Sequence, residues 1–123
     1  MNMIIIDANV ILRYLLNDNE EMASEAEMLI KNHEVWVTIE VIAEVIYVLK
    51  GVYKVKKREV CNCLLEFLDE VRVDDREVLE KAIQTYAECN LDFVDCVLYA
   101  YHSVRQYEIK TFDKKLNKLL SQI

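Results

Sequence analysis

Met-Ile-Ile-Ile-Asp-Ala-Asn (3–9) decides how the rest of the chain is read. The apolar run is short, rich in β-branched Ile and closed by Asp7, so residues 3–6 read as a buried strand. Val10, Ile11 and Leu12 then begin a helical pattern, and a strand passes straight into a helix. The alternation recurs. Residues 35–38, 71–73 and 109–112 read as further strands, with amphipathic stripes between them. Met22, Ala26, Leu29 and Ile30 form one stripe; Cys61, Leu64, Leu65 and Leu68 form another. Leu79, Ala82, Ile83 and Tyr86 make a third, Val94, Val97, Leu98 and Tyr101 a fourth, and Leu116, Leu119, Leu120 and Ile123 close the chain. Each repeats at the spacing of a helix that buries one face. Two helices fit between the second and third strands, at 39–50 and 57–69, with Gly51 as a helix stop. Strands separated by helices imply a parallel sheet covered on both sides. The expected fold is α/β: one domain over 1–123, with a central parallel sheet of about four strands flanked by helices.

The bulk composition narrows the class. A chain of 123 residues that is 54% hydrophobic and 30% charged is neither disordered nor too short for a proper core. One Gly and no Pro disfavour long irregular loops. The apolar start is broken by Asp7, Asn9 and Arg13 with no small-residue cleavage site after it, so it does not read as a signal sequence. No run of about 18 uncharged apolar residues is present, which excludes a helical membrane span and makes the expected location cytoplasmic. Cys61, Cys63, Cys89 and Cys96 match no zinc spacing and read as small hydrophobes in a reducing compartment. A net charge of −7 argues against a broadly basic nucleic-acid surface. The cations are grouped, however: Lys50, Lys54, Lys56, Lys57 and Arg58 in one set, Lys110, Lys114, Lys115 and Lys118 in another. Solvated helix surface is favoured for both sets over phosphate contact.

Four acids, Asp7, Glu44, Asp95 and Asp113, stand in or against apolar runs, and only the run before Asp113 holds a cation, Lys110. A buried carboxylate is costly unless it is paired or holds a metal, so a shared cation is expected. Ligands in open α/β sheets bind beyond the carboxyl ends of the strands, where Asp7 and Asp113 fall. Helix capping is the competing reading for Asp7, Asn9 and Asp113, and the favoured one for Asp92, three residues before Asp95. Glu44 lies mid-helix and cannot be a cap; its competing reading is an exposed stripe shared with Glu40.

These residues resemble the PIN-domain ribonucleases, especially the VapC-like toxins of prokaryotic toxin–antitoxin systems. Ile-Ile-Asp-Ala-Asn-Val-Ile-Leu-Arg-Tyr-Leu-Leu (5–16) is similar to that family's opening Asp-x-Asn segment. Val-Ile-Ala-Glu-Val-Ile-Tyr-Val-Leu (41–49) resembles the helix with its Glu, and Leu-Asp-Phe-Val-Asp-Cys-Val-Leu-Tyr-Ala (91–100) the segment with its third acid. Lys-Thr-Phe-Asp-Lys-Lys-Leu (110–116) resembles the segment with its fourth. The resemblance implies a PIN-like fold and an Mg²⁺ or Mn²⁺ site at Asp7, Glu44, Asp95 and Asp113, supported by Asn9, Asp92 and Thr111. It further implies endoribonuclease activity on an RNA substrate, a homodimer, and a small antitoxin that blocks the acidic site. The chain departs from many relatives in stopping at Ile123 without a short fifth strand.

The expected chemistry is phosphodiester hydrolysis by metal-activated water, with Asp7 and Asp95 as principal ligands and Glu44 and Asp113 completing the set. Two rivals remain: a non-catalytic module that binds RNA or protein, and a phosphotransferase using Asp7 as nucleophile. The second would want an acid where Asn9 stands. Tyr14, Trp36, Tyr47 and Tyr53 read as packing residues before base-stacking ones.

Overall fold

β-branched residues build the sheet. In the computed structural model, which describes residues 3–122, Met3–Ile5 (β1), Glu34–Val37 (β2) and Arg72–Val73 (β3) pair in parallel in the order β1-β2-β3. Ile4 lies opposite Val35, and Trp36 opposite Arg72. The chain separates into two compact units, Met1–Asp74 and Asp75–Ile123.

The first unit holds the sheet and four helices: Ala8–Leu16 (α1), Glu20–Asn32 (α2), Ile39–Gly51 (α3) and Lys57–Phe67 (α4), the last followed by a 3-10 turn at Leu68–Glu70. Each of the first three begins at a polar cap. Asp7, Asn19 and Thr38 accept hydrogen bonds from the backbone N–H groups of Val10, Met22 and Val41. The core is made by Ile11, Ile42, Val45, Leu64, Phe67 and Leu68, all essentially inaccessible. The two helices expected between the second and third strands are present. Gly51 ends α3 without a left-handed turn of its own; that conformation falls to Lys54.

The second unit is helical: Arg76–Glu88 (α5), Phe93–Arg105 (α6) and Lys114–Leu120 (α7). α5 packs along α6 through Leu79, Ala82, Ile83 and Tyr86 on one side and Phe93, Cys96, Val97 and Ala100 on the other. Tyr86 and Phe93 meet edge to face, ring centroids 6.0 Å apart. Leu116 anchors α7. Arg105, at the end of α6, grips Asp75, at the start of α5, through Nε at 3.0 Å and through a second nitrogen. The guanidinium holds the Asp75 carboxyl below the usual carboxylate range. A depressed carboxylate stabilises the fold above the ordinary Asp range, and that contribution is lost as the pH falls through its folded value. Arg105→Met is therefore expected to lower the melting temperature at pH 7, with the difference from wild type closing toward pH 2. A constant difference across that range would mean that the charge pair contributes nothing.

Three expectations need correction. Residues 109–112 form no strand, so the sheet has three strands and not four. Their polar groups are claimed locally: Asn117 Nδ2 donates to the Thr111 carbonyl at 2.8 Å, and the Asp113 N–H donates to Thr111 Oγ1 at 3.0 Å. Residues 3–6 are not wholly buried. Among the described residues β1 is paired on one side only, and Met3 and Ile5 are exposed while Ile6 is buried. The stripe on α6 is displaced by one residue, because Phe93 turns inward and Val94 outward. On α2 likewise Ala23, Ala26 and Ile30 face inward while Met22 is exposed; Ile123 lies outside the described residues.

Cys61 and Cys96 are buried, Cys63 and Cys89 half-buried, and none of the four is in a disulfide among the described residues. Burial pushes the thiols of Cys61 and Cys63 up. Among the described residues no helix is long and apolar enough to cross a membrane. Among the described residues, four with side chains take positive φ: Asn17, Lys54, Asp75 and Gln106.

Candidate active site

In the first unit Asp7 stands at the carboxyl end of β1 and caps α1, with Oδ1 3.1 Å from the Val10 N–H. One oxygen caps; the second is left over. Asn9, one turn in, accepts from Arg13 Nε at 3.4 Å. Arg13 is itself fixed by a two-pronged pair with Asp18 at 2.8 and 2.9 Å. Glu44 lies in the middle of α3, on the exposed side with Glu40 and Tyr47.

In the second unit Asp92 caps α6 by accepting from the Asp95 N–H at 2.9 Å. That is the cap favoured for Asp92 from the sequence. Asp113 caps α7, its Oδ2 2.8 Å from the Leu116 N–H. Thr111 steadies the entry to α7 through the hydrogen bonds already described. Asn117, which closes that loop, was not anticipated, since a six-residue separation from Thr111 follows no simple sequence pattern.

The burial argument needs revision. Asp7, Glu44 and Asp113 are exposed and only Asp95 is half-buried. Asp7 and Asp113 end their apolar runs as caps, which puts the carboxylate at the helix mouth, and Glu44 lies on the polar stripe of an otherwise apolar helix. What survives is the electrostatics around Asp95. Its carboxyl is pushed up, first by burial, then by the negative charges of Asp92 and Asp113, and further by a hydrogen bond with the Asp92 side chain.

Among the described residues no group of three or more His, Cys, Asp or Glu is gathered tightly enough to enclose an ion. Mg²⁺ does not require that. It keeps several waters and takes one or two carboxylates, so Asp95 with a spare oxygen from Asp92 or Asp113 is a fitting hard-oxygen donor set. A divalent cation would also relieve the repulsion that raises Asp95.

The PIN domain family matches residues 4–119, a span that runs through both units, and the chain belongs to that family. Its members are generally nucleases that act on RNA or other nucleic acid and use divalent metal ions. No curated protein and no solved structure matches the chain.

Proposed function

We propose that this chain is a metal-dependent endoribonuclease, the VapC-like toxin of a toxin–antitoxin pair. The observation that carries the reading is the half-buried Asp95 set against the negative charges of Asp92 and Asp113 in a chain of the PIN family. Asp95 and Asp7 are the principal oxygen donors to Mg²⁺ or Mn²⁺, and Glu44 and Asp113 complete the set as the family's helical Glu and fourth acid. A bound divalent ion supplies an activated water and neutralises charge on the phosphate under attack. The protein's own groups hold and orient. Asp92 fixes the first turn of α6 and so the backbone of Asp95, while Thr111 and Asn117 fix the backbone of Asp113. Asn9 steadies the first turn of α1 through Arg13. The same resemblance supports a cytoplasmic homodimer held inactive by a small antitoxin, and the exposed Met28 and Tyr47 are surfaces for such contacts.

The test is direct. Purified protein incubated with end-labelled total RNA should give discrete cuts in Mg²⁺ or Mn²⁺. EDTA should abolish them and excess Mn²⁺ restore them. Cutting that persists in EDTA would rule out the metal-dependent reading.

A further inference from the structure

Phe112 is fully exposed, yet it is not on a loose loop. Its two neighbours are both tied to α7: the Thr111 carbonyl by Asn117, and Asp113 by its N–H to Thr111 Oγ1 and by its cap on Leu116. The backbone on either side of the ring is therefore held, and the side chain is presented outward. A lone exposed apolar residue needs no explanation by itself. Here the surroundings do not fit an idle surface.

Lys114, Lys115 and Lys118 follow at helical spacing along one side of α7, opposite the buried Leu116. All three are exposed and have no acidic partner among the described residues, whereas Lys110 is paired with Glu108 at 2.7 Å. The second unit carries eight acidic and seven basic side chains, so the excess negative charge of the chain belongs mostly to the first unit. Four of those seven cations fall within residues 110–118. A held aromatic ring beside unpaired cations is the combination that takes single-stranded nucleic acid: the ring stacks on an unpaired base and the cations follow the phosphates. A duplex keeps its bases stacked on one another and offers no free face to the ring.

We infer that Phe112, with Lys114, Lys115 and Lys118, is a binding element for single-stranded RNA that seats an unpaired base beside Asp113. The inference rests on the proposed nuclease reading for its substrate class and adds the residues of this chain that seat it. Phe112 acts as a positioning residue, since it carries no group that reacts.

The test uses the full chain carrying Asp95→Asn, in Mg²⁺, with a fluorescein-labelled single-stranded RNA of mixed sequence and the same sequence as a duplex. Phe112→Ala should weaken single-strand binding roughly tenfold, the worth of one stacked base, and Phe112→Trp should restore it. Duplex binding should not respond. Lys114→Gln with Lys118→Gln should weaken binding and flatten its dependence on salt. Val52→Ala, at another exposed apolar residue, should change nothing. Equal affinity of Phe112→Ala and its parent overturns the inference, as does a shift of the protein's own sedimentation on Phe112→Ala, which would make the covering partner a second copy. The two readings fail separately. Cleavage by wild type that is indifferent to Phe112→Ala sinks the binding element and leaves the nuclease. Phe112-dependent binding without cleavage in Mg²⁺ or Mn²⁺ sinks the nuclease and leaves the binding element.

Discussion

Asp95→Asn is expected to lower metal-dependent RNA cleavage by at least about a hundredfold, the scale of losing an electrostatic group at a reacting centre. The substitution keeps the size of the side chain and the backbone N–H that donates to Asp92, so the first turn of α6 stays capped. Stability should move the other way from activity. Folding half-buries the Asp95 carboxyl and sets it against Asp92 and Asp113, so the folded chain holds the proton more tightly than the unfolded chain. Such a group favours the fold at low pH, and that advantage is lost as the pH rises through its raised folded value. In EDTA at pH 7 the Asn variant should melt at the same temperature as wild type or higher. Near pH 3, where the carboxyl is protonated in both states, the gain should be absent. A variant that melts well below wild type at pH 7 would make Asp95 a structural residue of α6. Undiminished cleavage would remove it from the metal site.

Phe67→Ala should have the largest effect on stability, about 3–5 kcal/mol. Phe67 is 1% exposed, at the end of α4, with its ring 6.0 Å from that of Tyr14 on α1. Tyr14 is in turn fixed by donating to Glu70, a bond that pushes its hydroxyl up to about 12. The surrounding helices are thus tied in place and cannot easily close over a lost ring, which is the condition for a large cavity cost. Since whole domains are stable by about 5–15 kcal/mol, the variant should be partly unfolded at 37 °C. Urea titration followed by circular dichroism measures it. A loss under about 1 kcal/mol would mean that the site collapses and that the Tyr14–Glu70 bond does not hold the helices apart.

Most of the architecture was legible because short β-branched runs and helical stripes differ in period. The strands at 3, 34 and 72 and the helices beginning at 39 and 57 lie close to where the pattern puts them. The failure at 109–112 is instructive: Ile-Lys-Thr-Phe is short and rich in β-formers, but Asn117 occupies the Thr111 carbonyl and the Asp113 N–H turns to the Thr111 hydroxyl, so the segment is tied to the helix that follows. On α6, apolar residues occur nearly all round, so the pattern did not distinguish Phe93 from Val94 as the inward residue. Where the acids stand relative to strand ends and helix starts was readable from residue type and order; how deeply they sit was not. A carboxylate that closes an apolar run looks buried in one dimension and is exposed in three, because the run ends where a helix opens to water. Asp95 alone, within a helix turn rather than at its mouth, is drawn partly inside.

The four left-handed residues leave room for a sturdier sample of this chain. Asn17 and Asp75 are of types that tolerate this conformation, but Lys54 and Gln106 place a Cβ where glycine is more comfortable, at about 1–2 kcal/mol, while the single glycine takes no such position. Asp75 cannot be spared, since it caps α5 and holds Arg105. The Gln106 side chain makes one exposed hydrogen bond, Nε2 donating to the Ser103 carbonyl at 3.2 Å, so Lys54 is the position where glycine would relax the backbone at least loss. The molecule thus keeps untapped stability in its turns, open to protein engineering without touching an acid, a lysine of α7 or the core.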